Sequence, residues 1–249
     1  MGVGEKTLSQ MAKTVVAKMA APKPDLVRAN GTKEWRGGSE VVRGMGSLHR
    51  LDGPAIVYDD GGKEWYKDGQ RHRDDGPAVE HLDGYKSWWV DGRRHRVDGP
   101  AVEAANGSAQ WWRDGEKHRE DGPAVEHSDG TREWWALGRK HRVGGPAVEC
   151  ADGSQEWWVY GKLHRGDAPA VARVDGTREW RVEGKLHRLD GPALVSADGN
   201  RKWFREDKLH RYDGPAVECA SGRVEWWVDG KRVVNPNMPK LGVLEKVAF

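Results

Sequence analysis

The sequence predicts an all-β fold, an elongated single-sheet array of eight antiparallel β-hairpin repeats that follows an N-terminal amphipathic helix. Three observations carry this prediction. A 23-residue pattern recurs eight times without a gap over residues 49–232. Every copy holds a Gly-centred turn between two short segments with strand-favouring residues. The chain also carries 33 Gly and 14 Trp, a composition that fits neither a disordered chain nor a membrane-spanning one.

Residues 1–28 are predicted to be an amphipathic helix followed by a Pro-containing linker. Apolar residues recur with helical spacing between residues 5 and 20. Lys6, Lys13 and Lys18 lie outside this stripe, and Pro22 and Pro24 end the helix. Three interpretations stay open: a cap on the array, an oligomer-forming helix, or an anchor on a membrane surface. The stripe consists of Leu8, Met11, Ala12, Val15, Val16, Met19 and Ala20.

Residues 29–48 are predicted to be a degenerate copy of the repeat. The segment from Asn30 to Trp35 matches the second strand of the regular copies. Trp35 is 14 residues before His49, whereas the matching interval in the regular copies is 7 residues. The degenerate copy therefore contains an insertion, which is Gly-rich around Gly44 and Gly46.

Residues 49–232 hold the eight regular copies, which read HRxDGPAVExxDGxxEWWxDGxx. Pro starts the first strand, where its missing N–H is tolerated. An Asp-Gly, Asn-Gly or Ser-Gly pair then favours a two-residue type I′ turn, and the aromatic second strand follows. Two strands per copy advance the array by roughly 10 Å, so eight copies would span roughly 75–80 Å.

Residues 233–249 are predicted to be an apolar C-terminal tail. Val233 and Val234 replace the His-Arg pair, and Pro236 and Pro239 break the pattern. The apolar side chains of such a tail need a partner. We expect the tail either to fold back on the last hairpin or, preferably, to insert into a neighbouring subunit. Its apolar residues are Leu241, Val243, Leu244, Val247 and Phe249.

The pattern W-W-x-D-G-x-x-H-R-x-D-G-P-A resembles a divergent form of the MORN repeat over residues 49–232. Copies that contain HR-x-D-G-P-A are similar to repeats in bacterial and phage proteins. The resemblance implies an elongated antiparallel hairpin sheet that serves in protein or lipid contact and in self-association. Lipid binding transfers poorly to this chain, because its hairpins lack a net basic surface. The sequence departs from the common form in having His-Arg where His-Gly is usual.

Two aromatic columns run through the copies. The first is Trp in all eight, from Trp65 to Trp226, and we expect it to form the packed core. The second includes Arg181, so it does not demand burial, and we expect it to form a partly exposed ladder that binds a partner. The alternative is that it packs under neighbouring loops or a terminal segment. With the tail, the predicted partner-binding residues are Trp89, Trp112, Trp135, Trp158, Phe204, Trp227, Leu241, Leu244 and Phe249.

The His-Arg pairs are expected to be structural. Equivalent His side chains lie roughly 10 Å apart, too far to share a metal ion. An enzyme needs one constellation in one pocket rather than eight equivalent rows. We therefore expect no catalytic residue, metal or cofactor. His is predicted to bond the backbone near a turn, and Arg to pair with the Asp two residues later or with a Glu.

The charge and the cysteines limit the function classes. The net charge is +2, with +4 in residues 1–48 and −2 in the remainder, so the repeats do not attract polyanions. Cys150 and Cys219 lie three copies apart, roughly 30 Å, beyond disulfide reach. A reducing compartment is expected, either the cytoplasm or a particle such as a virion assembled there.

These observations favour a non-enzymatic structural or protein-interaction scaffold that assembles with itself or with a larger particle. The alternative is a module that recognises a glycan or peptide along the Trp ladder. Binding of single-stranded nucleic acid is disfavoured by the acidic columns of the repeat.

Overall fold

The structure is a computed structural model that describes residues 22–37 and 46–234. Every regular element in this part of the chain is a β-strand. The predicted all-β, antiparallel array is therefore confirmed. The predicted helix over residues 5–20 and the tail residues Leu241, Leu244 and Phe249 lie outside the described residues.

One long sheet of 19 antiparallel strands runs through the described chain. Its strands lie side by side in chain order, and each repeat contributes two of them, joined by the first turn. The strands are Leu26–Val27, Lys33–Glu34, Ile56–Val57, Lys63–Glu64, Val79–Glu80, Lys86–Ser87, Val102–Glu103, Ala109–Gln110, Val125–Glu126, Arg132–Glu133, Val148–Glu149, Gln155–Glu156, Val171–Ala172, Arg178–Glu179, Leu194–Val195, Arg201–Lys202, Val217–Glu218, Val224–Val228 and Lys231–Val233.

The remaining strands form eight separate two-stranded ribbons, whereas the sequence predicted a single sheet. The break falls at the first Trp, which leaves the strand ladder. In one copy, the Trp88 N–H donates to the Ala101 carbonyl at 2.9 Å, while the Trp88 carbonyl accepts from the His95 N–H at 3.2 Å. The ribbon pairs are Arg36–Gly37 with Ser47–Leu48, Tyr66–Lys67 with Gln70–Arg71, Trp89–Val90 with Arg93–Arg94, Trp112–Arg113 with Glu116–Lys117, Trp135–Ala136 with Arg139–Lys140, Trp158–Val159 with Lys162–Leu163, Arg181–Val182 with Lys185–Leu186, and Phe204–Arg205 with Lys208–Leu209.

Successive ribbons are joined through their turns. The Gly92 N–H donates to the Arg71 carbonyl of the preceding ribbon at 3.0 Å, and the Arg73 N–H donates to the Trp89 carbonyl at 3.2 Å. Each repeat therefore contacts its neighbours through both the long sheet and the ribbons.

The two turns of a repeat differ in type. In the second turn, Asp91 and Gly92 have φ values of 46° and 74°, as a type I′ turn requires. In the first turn, the only positive φ is that of Gly84, at 94°, and the Gly84 N–H donates to the His81 carbonyl at 3.2 Å. This pattern describes a three-residue loop with a bulge. The prediction of a type I′ turn at this Asp-Gly pair is therefore wrong, and the second turn adopts that geometry instead.

Small side chains fill the core of the long sheet. The Ala of each Pro-Ala-Val segment is fully buried, and the following Val or Ile is 1–8 % exposed in seven copies. The first-column Trp residues of the eight regular copies are half-buried, and only Trp35 of the degenerate copy is buried, at 9 %. The expectation that this column forms the packed core is therefore wrong. The column instead packs against arginine side chains, as described below.

The degenerate copy begins earlier than residue 29. Leu26–Val27 is a strand that pairs with Lys33–Glu34, with Leu26 opposite Glu34. Pro24 stands six residues before Asn30 of the Asn30-Gly31 pair, just as Pro77 stands six residues before Asp83 in a regular copy. The segment predicted as a linker thus contains the first strand of the array.

Candidate functional site

The Arg of each His-Arg pair stacks on the first-column Trp of the preceding copy. The guanidinium carbon lies 3.8–4.3 Å from the centre of the indole ring, which is the geometry of a cation–π contact. The same Arg carries further contacts, so one side chain joins two copies. The stacked pairs are Arg50 on Trp35, Arg73 on Trp65, Arg96 on Trp88, Arg119 on Trp111, Arg142 on Trp134, Arg165 on Trp157, Arg188 on Trp180 and Arg211 on Trp203.

Arg73 illustrates how the guanidinium is held. Its Nε donates to the Asp75 carboxylate at 2.9 Å, and its Nη1 donates to the Pro77 carbonyl at 3.1 Å and to the Glu80 carboxylate at 3.0 Å. Charge-assisted bonds of this kind are the stronger ones in proteins. The predicted Arg–Asp pairs are confirmed in all seven copies that keep the Asp.

The hydrogen bond from Arg lowers the pKa of the Asp two residues later. The carboxylates are exposed while the guanidinium groups are largely covered. The aspartates with a lowered pKa of this origin are Asp52, Asp75, Asp98, Asp121, Asp190 and Asp213.

The Gly of the Asp-Gly-Pro segment makes room for the guanidinium. A Cβ at Gly122 would lie 2.8 Å from Arg119 Cζ, too close for an unstrained contact. Copy six has Ala168 at this position, and there the Arg165–Asp167 distance lengthens to 3.3 Å. The sequence pattern His-Arg-x-Asp-Gly-Pro thus describes one structural unit around Arg.

The second aromatic column alternates with cations along the ribbons. Arg94 lies 5.0 Å from the ring centre of Trp89 and 5.1 Å from that of Trp112. Lys117 lies between Trp112 and Trp135, at 5.7 and 4.7 Å. Arg71 and Lys140 make the equivalent contacts in the adjacent copies. We call this row the cation–aromatic ladder.

The predicted partner-binding side chains of this column are all half-buried: Trp89, Trp112, Trp135, Trp158, Phe204 and Trp227. Several of their indole N–H groups bond the residue two positions earlier, as in Trp135 Nε1 to Glu133 at 2.8 Å and Trp158 Nε1 to Glu156 at 2.9 Å. Arg181 makes the same bond, to Glu179 at 2.7 Å. The structure places these residues in one row, and several of their hydrogen-bond donors already have an acceptor within the chain.

The His column fixes the second turn. The Asp91 N–H donates to His72 Nδ1 at 3.2 Å, and the corresponding bond from Asp114 to His95 is also 3.2 Å. In copy four the same bond joins the Leu137 N–H to His118 Nδ1 at 3.3 Å. The predicted backbone bond of these histidines is confirmed.

The loops that join consecutive copies form an edge that sequence reasoning missed. We define this loop edge as the row of His-Arg-x-Asp-Gly-Pro loops. The residue after His-Arg protrudes from it: Leu51, Val97, Val143 and Leu189 are 80–86 % exposed. The intervening copies carry Asp74, Glu120 and Gly166. The alternation of apolar and other residues becomes visible in the sequence when this position is compared from one copy to the next.

Between consecutive loops lie open grooves. The groove between copies one and two is about 630 Å³ and is lined by Leu51, Asp52, Trp65 and Asp74 among others. Equivalent grooves follow along the edge, and the one between copies six and seven is about 350 Å³. Each combines an indole with carboxylate and guanidinium groups.

Within residues 22–37 and 46–234, no group of three or more His, Cys, Asp or Glu side chains is placed to hold a metal ion. Cys150 and Cys219 are free thiols, and burial raises the pKa of Cys150. The same part of the chain contains no helix that could cross a membrane.

A scan of the chain against models of protein families finds no match, and neither does a search among curated proteins. The function is therefore argued from the geometry of the repeats.

Proposed function

We propose that the protein is a non-enzymatic structural scaffold that assembles with itself or within a larger particle. The observation that supports this proposal is the equivalence of the copies. The Arg–Trp stack recurs at nearly the same distance in every loop, so the chemistry is spread along the array instead of being gathered in one pocket. Uniform repeats suit an extended contact surface.

Solution mass tests the self-assembly. We expect the full chain to exceed its monomer mass of 27.9 kDa in light scattering at micromolar concentration. A chain without residues 236–249 should return to the monomer, because the apolar tail is the segment that needs a partner. A single monomeric mass for the full chain at every concentration would contradict self-assembly.

Glycan recognition is the second candidate, and the grooves of the loop edge favour it. Each groove offers an indole beside carboxylate and guanidinium groups, as in the groove lined by Trp111, Arg119 and Asp121. An indole flanked by planar polar groups is suited to contact with a sugar ring. The grooves repeat about every 10 Å, so an extended polysaccharide could occupy several at once.

Titration with soluble oligosaccharides tests this candidate. Binding should change the Trp emission and should respond little to salt, whereas polyanion binding weakens steeply as salt rises. A steep salt dependence would instead support single-stranded nucleic acid. No emission change with either ligand would leave the scaffold as the better proposal.

A further inference from the structure

We propose that residues 5–20 of this chain dock as an amphipathic helix on the first part of the loop edge of the same molecule, where they cover Leu51 and Val97. The occupant is a segment outside the described residues. The docking surface lies within them, in copies one to three.

The surface combines protruding apolar groups with carboxylates. Leu51 is 80 % exposed and Val97 82 % exposed. Asp74 lies between them in the row and has an 89 % exposed side chain. Covering these two protruding side chains is favourable, because it removes their apolar surface from water.

Acidic groups outnumber basic groups on this surface. The cations on this surface are Arg50, Arg73 and Arg96 of the loops, Lys67 in the first groove and Arg113 in the groove beside Val97. Against these five cations stand six carboxylates. They belong to Asp52, Asp74, Asp75, Glu80, Asp98 and Glu103. The three loop guanidinium groups are covered, with side chains 13–22 % exposed, whereas the aspartates are 61–89 % exposed. A second copy would present the same acidic edge and be repelled, so the charge favours a basic apolar occupant.

The described chain begins next to this surface. The Pro22 carbonyl accepts a hydrogen bond from Trp35 Nε1 at 2.9 Å. Arg50 lies over the ring of Trp35 at 4.3 Å, and Leu51 is the next residue. Pro22, the first described residue, therefore lies near the first loop.

The segment also fits in length and charge. A helix of 16 residues is about 24 Å long, and the two copies between Leu51 and Val97 span roughly 20 Å. Residues 5–20 carry Lys6, Lys13 and Lys18 against the single acidic residue Glu5. The apolar stripe of the segment would meet Leu51 and Val97, while its lysines would meet the exposed aspartates.

Limited trypsin digestion of the full chain tests the proposal. The readout is the rate of cleavage after Lys13 and Lys18, followed by mass spectrometry. Leu51→Gly with Val97→Gly removes both apolar contacts, and Gly166 shows that the loop accepts Gly at this position. We expect cleavage to become about tenfold faster or more, since two covered apolar side chains are lost.

The matched control is Val143→Gly with Leu189→Gly, which makes the same change at equally exposed positions farther along the edge. Cleavage should stay within about twofold of the unaltered chain. Equal rates in all three proteins, or acceleration in the control, would overturn the proposal. Protection that disappears on dilution would assign the segment to a second copy. Protection that requires phosphatidylserine vesicles would assign it to a membrane surface, and either result would also overturn docking within one molecule.

Discussion

At the scale of single residues, the most informative side chain is the Arg that follows each His. Arg119 stacks on Trp111 at 4.1 Å and donates to Asp121, the Pro123 carbonyl and Glu126 at 3.0–3.3 Å. A planar guanidinium can make all these contacts at once, whereas an ammonium group cannot. The arginine therefore joins the loop, the long sheet and the preceding copy.

This predicts unequal effects of one substitution at two equivalent sites. Arg119→Lys should reduce the free energy of unfolding by about 1–2 kcal/mol, because several bonds and the stack are weakened. Arg165→Lys should cost less than about 1 kcal/mol, since Ala172 replaces the Glu and the remaining Asp167 bond is long. Urea unfolding of both variants measures the difference. Equal losses would contradict the role assigned to the extra bonds.

We expect the stability of the protein to fall in acid, because of the carboxylates that accept the hydrogen bond from Arg. Their pKa values are lowered in the folded protein, as for Asp98 and Asp121. The stabilisation is therefore fully present above the unfolded pKa of about 3.9 and is lost as pH falls through the lower folded pKa. The urea midpoint should drop as pH is lowered from 5 to 2.5.

Asp98→Asn combined with Asp121→Asn is the test variant for this pH dependence. It should flatten the acid limb of the curve, because two of the linked titrations are removed. A curve that falls as steeply as that of the unaltered chain would show that other groups control acid unfolding.

At the scale of the elements, the second turn places a non-Gly residue in the left-handed region in each regular copy. Most copies use Asp or Glu there, but copy four uses Leu137, with φ at 48°, and copy five uses Tyr160, with φ at 45°. Leu is disfavoured in this conformation, whereas Asp and Asn tolerate it. In copies four and five the residue at this turn position is therefore poorly suited to its backbone conformation, and Leu137 is the simpler of the two to test because Tyr160 also stacks on His141.

Leu137→Asp should therefore raise the free energy of unfolding by about 0.5–1 kcal/mol. Leu137 is 64 % exposed, so little packing is lost. The control is Leu82→Asp, at an exposed residue of a first turn without positive φ, which should change stability by less than about 0.5 kcal/mol. Thermal unfolding of the two variants compares them directly. A loss of stability in Leu137→Asp would contradict the strain argument.

The elements were also where sequence reasoning succeeded and failed. The 23-residue period and the Gly turns predicted the strands and their antiparallel order, because each hairpin is encoded locally. The ribbons were not predictable, since they depend on Trp88 bonding the next copy rather than its own neighbours. The Arg–Asp pairs were predicted from their spacing, but the Arg–Trp stack joins residues eight positions apart, as in Trp65 and Arg73, which no strand periodicity reveals.

At the scale of the whole molecule, each copy contacts only its neighbours, so stability should be a sum of local terms. Ala124 is fully buried. Ala124→Leu would overpack the middle of the array and lower the free energy of unfolding by about 1–3 kcal/mol or more. Hydrogen exchange should show lost protection in copies three to five, while copies one and eight stay protected. The control Ala220→Leu, at an exposed position, should leave the pattern unchanged. A uniform loss across all copies would contradict nearest-neighbour coupling.

The cation–aromatic ladder changes character partway along the chain. The cation opposite the aromatic residue, such as Lys140 opposite Trp135, is replaced by Leu163, Leu186 and Leu209 in copies five to seven, and Arg232 stands opposite Trp227 in copy eight. Identical units would let a bound partner occupy many equivalent registers and slide from one to the next. The change at Leu163 makes the registers inequivalent, so a partner that contacts this part of the ladder would bind in one defined register.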